Sequence, residues 1–131
     1  MRILIVEDEV SNRLLLQRYL RGLHSVDVVV NGEEALEAFR LAHKDGEPYR
    51  LILLDIQMPV MDGLEALRAI REMEKTLVVP SGQEAKVFMI TAHNDKDSVF
   101  NAFFKGNASG YLVKPVERET LLDCISGLDL G

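Results

Sequence analysis

Apolar positions along the chain follow two rhythms. Short unbroken runs, each closed by an acid, a hydroxyl or a cation, alternate with longer stretches in which apolar residues recur every three or four positions. Ile3 to Val6 is the first short run and stops at Glu7 and Asp8. Ser11 to Leu23 follows, with Leu16, Tyr19, Leu20 and Leu23 at helical spacing and Gly22 near its end, where helix C-termini favour glycine. Val26 to Val30 is short and β-branched and reads as a strand. Asn31-Gly32 turns the chain into a helix over Glu33–Ala42, with Ala35, Leu36 and Phe39 on one side. His43 to Arg50 is polar, contains Gly46 and Pro48, and reads as a loop.

Leu51 to Leu54 is the second strong run, closed by Asp55. Ile56 to Met61 is a loop around Pro59. Asp62 then takes the place of an N-cap with Glu65 three residues on, and Leu64, Leu67 and Ile70 mark the buried side of the helix it starts. Lys75 to Ala85, with Pro80, Ser81 and Gly82, is a long connection. Val87 to Ile90 is closed by Thr91. A helix is predicted over Asp95–Lys105, bounded by Gly106. Tyr111 to Val113 is a short strand closed by Lys114-Pro115, and Val116 to Leu128 is the last helix, with Leu121, Ile125 and Leu128 on one stripe.

Five strands alternating with five helices imply βαβ units, hence an α/β fold with a parallel sheet covered on both faces. The length of 131 residues fits one domain spanning 1–131, with no repeat, low-complexity tract or linker. An apolar content of 47% and a charged content of 27% are those of a globular chain. The net charge is -6, and the 15 basic residues are scattered among 21 acidic ones, which argues against nucleic-acid binding by this chain. No apolar run approaches the ~20 residues that span a bilayer, so no membrane insertion is expected. Glu7 and Asp8 come too early for a secretory signal. Cys124, the lone cysteine, cannot form an internal disulfide, which fits a reducing compartment and a cytoplasmic location. The sequence stops at Gly131, directly after the last predicted helix, so no output domain is expected.

Four of the strands end in groups that handle charge: Glu7 and Asp8, Asp55, Thr91, and Lys114. In an open parallel sheet, ligands sit outside the carboxyl ends of the strands. These five side chains therefore converge on one site if the strands are parallel. Crowded carboxylates repel, and a hard divalent cation relieves them; Mg²⁺ suits one or two carboxylates plus waters and a phosphoryl oxygen. An Asp carboxylate can attack phosphorus and form an aspartyl phosphate. Phosphoryl transfer needs mainly positioning and neutralisation of the equatorial oxygens, to which a Thr hydroxyl and a Lys ammonium are suited.

At this point the chain resembles a known family. Val6-Glu7-Asp8, Leu54-Asp55-Ile56-Gln57-Met58-Pro59-Val60-Met61-Asp62-Gly63, Ile90-Thr91-Ala92 and Tyr111-Leu112-Val113-Lys114-Pro115 are similar, in order, to the signature blocks of two-component response-regulator receivers, and the chain resembles their single-domain chemotaxis regulators in form. The resemblance covers about Arg2 to Leu128. It implies a flavodoxin-like, doubly wound five-stranded sheet in the order 2-1-3-4-5. It implies that Asp55 is the phosphoacceptor, loaded from a phosphohistidine on a sensor histidine kinase or a histidine phosphotransfer protein. Asp8 would bind Mg²⁺ directly with support from Glu7, and Gln57 would offer its backbone carbonyl. Thr91 and Lys114 would hold phosphoryl oxygens, the Lys114–Pro115 peptide would be cis, and Tyr111 would be the aromatic that turns inward when Thr91 moves.

The same resemblance implies a phosphoprotein that catalyses only its own phosphorylation and slow autodephosphorylation. It would switch the face made by the helix over Asp95–Lys105, the fifth strand and the last helix, and so address a downstream protein target; a weak homodimer on phosphorylation belongs to the same expectation. A receiver cut from a hybrid histidine kinase fits the same residues. The connections over Ala42–Tyr49 and Lys75–Ala85 are longer than the family pattern, Arg50 stands where an acid often precedes the third strand, and Gln57 and His93 occupy positions that tune dephosphorylation.

Singly, these residues are ordinary: Glu7 and Asp8 as a solvated turn, Asp55 as a loop cap, Thr91 as a strand end, Lys114 as a surface charge. Their joint placement carries the reading. A haloacid-dehalogenase-type phosphatase would carry a second acid where Gln57 stands. A flavin carrier would need a phosphate-cradling loop where Glu7-Asp8-Glu9 repels phosphate. A phosphorylation-independent scaffold would have no use for the intact set. His24, His43 and His93 lack metal-ligand spacing and read as surface residues, Cys124 as a buried or half-buried thiol, and Met58 and Met61 as packing. In the helix over Asp95–Lys105, Val99 and Phe103 read as core, while Phe100 or Phe104 is expected to join Tyr111 on a partner surface.

Overall fold

The structure, a computed structural model, describes residues 1–56, 58, 61–92 and 108–128. The strands are β1 (Arg2–Val6), β2 (Ser25–Val29), β3 (Leu51–Asp55), β4 (Lys86–Thr91) and β5 (Gly110–Val113). The helices among the described residues are α1 (Val10–Leu20), α2 (Gly32–Lys44), α3 (Gly63–Thr76) and α4 (Arg118–Ser126). The predicted helix over Asp95–Lys105, with Val99, Phe100, Phe103 and Phe104, lies outside the described residues, as do Gln57 and His93.

All strand pairs are parallel, in the order β2-β1-β3-β4-β5. Side chains alternate across such a sheet, and both faces are covered. Leu4, Val6, Ile52, Leu54, Val87 and Met89 face α2 and α3, where Phe39, Leu67 and Ile70 complete the packing. Ile3, Ile5, Leu51, Leu53, Phe88, Ile90 and Leu112 face α1 and α4, where Leu16, Leu20, Leu121 and Ile125 do so. Continuous apolar runs in β1, β3 and β4 follow from this two-sided burial.

Helix starts follow local chemistry. Asn31 does more than turn the chain: its side chain accepts from the Glu34 backbone N–H, and Glu34 Oε1 accepts from the Val30 N–H, a reciprocal box that closes the first turn of α2. Asp62 caps α3 by accepting from the Glu65 N–H at 2.9 Å, as the spacing predicts. One expectation fails at α1. The helix stops at Leu20 and Gly22 turns the chain at φ +78, so Leu23 leaves the stripe and is 54% exposed. His24 and His43 are half-buried rather than superficial; the His43 ring tilts against Phe39 at 4.7 Å between centroids.

Both long connections are tied down at the amino ends of the strands, away from the charged rim. Tyr49 is buried and donates its hydroxyl to Asp27 Oδ2 at 2.6 Å. Arg2 bonds the same oxygen at 3.0 Å and lies over the Tyr49 ring. The second connection closes through Glu74, buried, which accepts from the Ala85 N–H at 2.8 Å and from Arg71 at 2.7 Å.

Candidate functional site

Ladder hydrogen bonds run one residue past several strand ends and place the site. The Glu7 N–H donates to the Val29 carbonyl, the Ile56 N–H to that of Ile90, and the Lys114 N–H to that of Thr91. With Asp55 paired to Ile90 and Thr91 to Val113 in register, the ends of β1, β3, β4 and β5 stand side by side. Glu7, Asp8, Asp55 and Lys114 therefore gather at one rim, although more than 100 positions separate the first from the last.

Carboxylate oxygens of Glu7, Asp8 and Asp55 lie within 4.8 Å of one another, the only such cluster of potential metal ligands among the described residues. Glu7 and Asp55 are buried and Asp8 is exposed, so the cluster has one open side. Lys114 Nζ sits 3.2 Å from Asp55 Oδ2 and 3.6 Å from Glu7 Oε1. Burial alone would pull this ammonium down; the charges of Asp55 and Glu7 reverse that and hold it above the ordinary lysine value. Burial pushes the Glu7 carboxyl up to about 7, and the neighbouring Asp55 carboxyl, which can share its proton and repels its charge, adds to the rise against Asn12 and Lys114. When both acids are ionised, Glu7 Oε2 is a buried acceptor with no donor. A buried acceptor of this kind costs stability until a cation or proton reaches it. The donor set is all oxygen, so it fits a hard cation such as Mg²⁺.

Thr91 is buried at the end of β4, and its hydroxyl donates to the Ala92 carbonyl at 3.1 Å. Tyr111 on β5 is 49% exposed. The Lys114–Pro115 peptide is cis. Of the remaining sequence-derived candidates, Gln57 lies outside the described residues, as do Phe100 and Phe104. Met58 and Met61 pack against the core on the α2–α3 face, and Cys124 is half-buried.

Two residues were not singled out in the sequence, and a third, Gly63, stood there only as the end of a signature block with no role given to it. Asn12, in the first turn of α1, donates to Glu7 Oε1 at 3.1 Å. Arg13 donates to the Glu7 backbone carbonyl at 3.3 Å. Gly63 opens α3 directly over the end of β3, where a Cβ would stand 2.3 Å from the Asp55 carbonyl oxygen and 2.7 Å from Ile56 Cα. The signal for the first two was their position one turn past a strand-closing acid; for Gly63 it was the glycine behind a capping Asp.

An open parallel sheet with carboxylates, a hydroxyl and an ammonium at its carboxyl rim defines a doubly wound α/β protein built around a small polar site. Residues 3–126 match the response regulator receiver domain, and the chain belongs to that family. It is similar to the two-component response regulator ORR41 of Oryza sativa subsp. japonica, 33% identical over 120 residues that cover 92% of this chain and 87% of the relative. It is also similar to probable histidine kinase 2 of Oryza sativa subsp. indica, 31% identical over 100% of this chain, which spans 13% of that kinase's length. Among solved structures, the receiver domain of Ssk1 from Saccharomyces cerevisiae, crystallised with the histidine phosphotransfer protein Ypd1, superposes with a TM-score of 0.79 at 32% identity, covering 98% of this chain and 92% of that one. The flavodoxin-like order 2-1-3-4-5 is the family fold, and the phosphoacceptor reading is favoured over a haloacid-dehalogenase-type phosphatase.

Proposed function

We propose that residues 1–131 act as one receiver unit of a phosphorelay, with Asp55 as the phosphoacceptor. The observation that carries this is the Lys114–Asp55 contact at 3.2 Å inside a three-carboxylate cluster at the sheet rim. An Asp55 carboxylate oxygen attacks phosphorus, the P–N bond of a phosphohistidine breaks, and the leaving imidazole takes up a proton. The product is an acyl phosphate on Asp55. Lys114 stays beside the acceptor oxygen and neutralises charge on the arriving group. Thr91 exchanges its bond to the Ala92 carbonyl for one to a phosphoryl oxygen. Bound by Asp8 and Asp55 with Glu7 behind them, and by the backbone carbonyl of Gln57, Mg²⁺ would offset the negative charge gathered at the rim.

The donor is a sensor histidine kinase or a histidine phosphotransfer protein, a class with which the Ssk1 receiver was crystallised. Movement of Thr91 then draws in Tyr111 and alters the face around β5, which addresses a protein target. The chain acts on no separate substrate, and its place is the cytoplasm; among the described residues no helix is long and apolar enough to cross a membrane. Incubation with Mg²⁺ and a small phosphodonor, followed by intact-mass spectrometry, tests the reading. The native chain gains the mass of one phosphoryl group and Asp55→Asn does not; equal gain by both sinks the assignment.

A further inference from the structure

Glu7 has four neighbours that set its state, and only one is neutral. Asp55 and Asp8 repel it, and Lys114 attracts it at 3.6 Å while holding Asp55 more closely at 3.2 Å. Asn12 donates its amide to Glu7 Oε1 at 3.1 Å from the first turn of α1. The small cavity beside Glu7, about 10 Å³, is lined by Asn12, Leu15, Leu16, Ile90, Lys114 and Val116, so the side-chain donors in its wall are Asn12 and Lys114. A space of that size holds at most about one water. The fixed donors to Glu7 from this wall are therefore side chains of the protein rather than a water network.

We infer that Asn12 is a positioning residue for cation binding: by occupying Glu7 Oε1, it holds the buried carboxylate with Oε2 turned to the cation shared with Asp8 and Asp55. The inference rests on the proposed receiver function and deepens it. Oε2 is the atom left without a partner. An ammonium on Glu7 cancels its charge and competes with a cation. A neutral amide orients the carboxylate and leaves the charge in place. Lys114 is also the group that turns to an arriving phosphoryl, and its longer contact, to Glu7, is the one given up. Asn12 is then the donor that keeps Glu7 in register. Arg13 supports the same residue from its backbone side, through the Glu7 carbonyl at 3.3 Å.

The test is calorimetric titration of the full chain with MgCl₂, paired with thermal melts in chelator and with phosphorylation rates across a Mg²⁺ series. Asn12→Leu keeps the side-chain bulk and removes the donor; Asn12→Ala serves if the leucine disturbs folding. The expected result is Mg²⁺ affinity weakened about ten-fold or more, as for lost partners of metal ligands. The metal-free melting midpoint stays near native, and the phosphorylation rate at saturating Mg²⁺ recovers while its half-saturating concentration rises. Affinity equal to native in both variants overturns the inference. So does a fall in the metal-free midpoint with affinity unchanged, since Asn12 would then serve folding alone. A native chain that takes up no Mg²⁺ overturns the receiver function, and this inference with it.

Discussion

Lys114 and Glu7 share one contact but titrate in ways that can be separated. Lys114 is already held by Asp55 and Glu7 in the resting chain, so under the proposed function a bond to a phosphoryl oxygen would replace its Glu7 contact rather than add a new one. Charge-assisted hydrogen bonds contribute about 1.5–3 kcal/mol, and moving a population from 1:99 to 99:1 takes about 5.5 kcal/mol. Thr91, which gives up only a bond to the Ala92 carbonyl, therefore has to supply much of the differential. Thr91→Ala is expected to leave Asp55 open to phosphorylation while sharply reducing the change at Tyr111; intact mass and Tyr111 ring NMR signals, read on the same sample, check this, and a full Tyr111 response in the variant refutes it. Glu7 gives a pH signature. Its carboxyl ionises near 7 in the folded chain and near 4.5 when unfolded, so between those values the folded state holds the extra proton and stability falls as pH rises. His24 acts in the opposite sense: burial and the terminal ammonium hold it below 6.5, so stability falls as pH drops under that value. In chelator, Glu7→Gln should remove the decline between pH 5 and 7 and leave only the His24 rise, whereas saturating Mg²⁺ should flatten the decline in the native chain. Melting midpoints across pH measure both, and an unchanged slope in Glu7→Gln contradicts the assignment of its burial.

At the level of elements, two junctions carry opposite backbone demands. The turn after α3 is closed by the Val78 N–H on the Lys75 carbonyl and the Val79 N–H on that of Glu74, a pattern that wants glycine at its left-handed position. Val78 holds that position at φ 55 and is 81% exposed. A β-branched residue there costs about 1–2 kcal/mol, and glycine returns part of this to the unfolded chain. Val78→Gly is expected to stabilise by about 0.5–1 kcal/mol, read as a rise of a few degrees in the melting midpoint; a fall would mean that the valine packs on something. Gly63 is the reverse case. Ala there would drive a Cβ into the Asp55 carbonyl, pushing α3 off β3 at a cost of about 3 kcal/mol and displacing the proposed acceptor, Asp55. Both the chevron midpoint and the phosphorylation rate should drop. Strands and caps were legible because their signals are local: unbroken apolar runs for β1, β3 and β4, and Asp62 with Glu65 for α3. The locks on the long connections were not. Tyr49 and Glu74 become buried through partners that arrive from β2 and from the far side of a loop, Asp27 and Ala85, 22 and 11 positions away, and neither periodicity nor turn chemistry pairs them. Leu23 failed for the same reason in reverse, since periodicity continued where the backbone had already turned at Gly22.

The whole molecule concentrates like charge at one pole and offsets it only in part. The rim residues were readable as a set because parallel strands must deliver their ends together, while Asn12, which touches Glu7 from a helix, followed no strand rule and stayed hidden. That arrangement sets the energetics of the resting chain. Two of the three clustered carboxylates, Glu7 and Asp55, share the Lys114 ammonium, and the buried Glu7 Oε2 has no donor. Ligand binding to the folded state alone stabilises it by about 2.7 kcal/mol at one hundred times Kd. Mg²⁺ should therefore raise the melting midpoint by roughly 5–10 °C at that excess for a chain of this size. Asp8→Asn separates the two parts of this effect. It deletes a proposed ligand, so the Mg²⁺-dependent rise should vanish. It also deletes a repelling charge, so the midpoint in chelator should exceed that of the native chain. The two changes have opposite signs and come from one substitution, which no general loss of packing would produce. A lowered midpoint in chelator would mean that Asp8 stabilises the resting rim through contacts other than repulsion, and the claim that this pole is held under electrostatic strain until a cation arrives would fall.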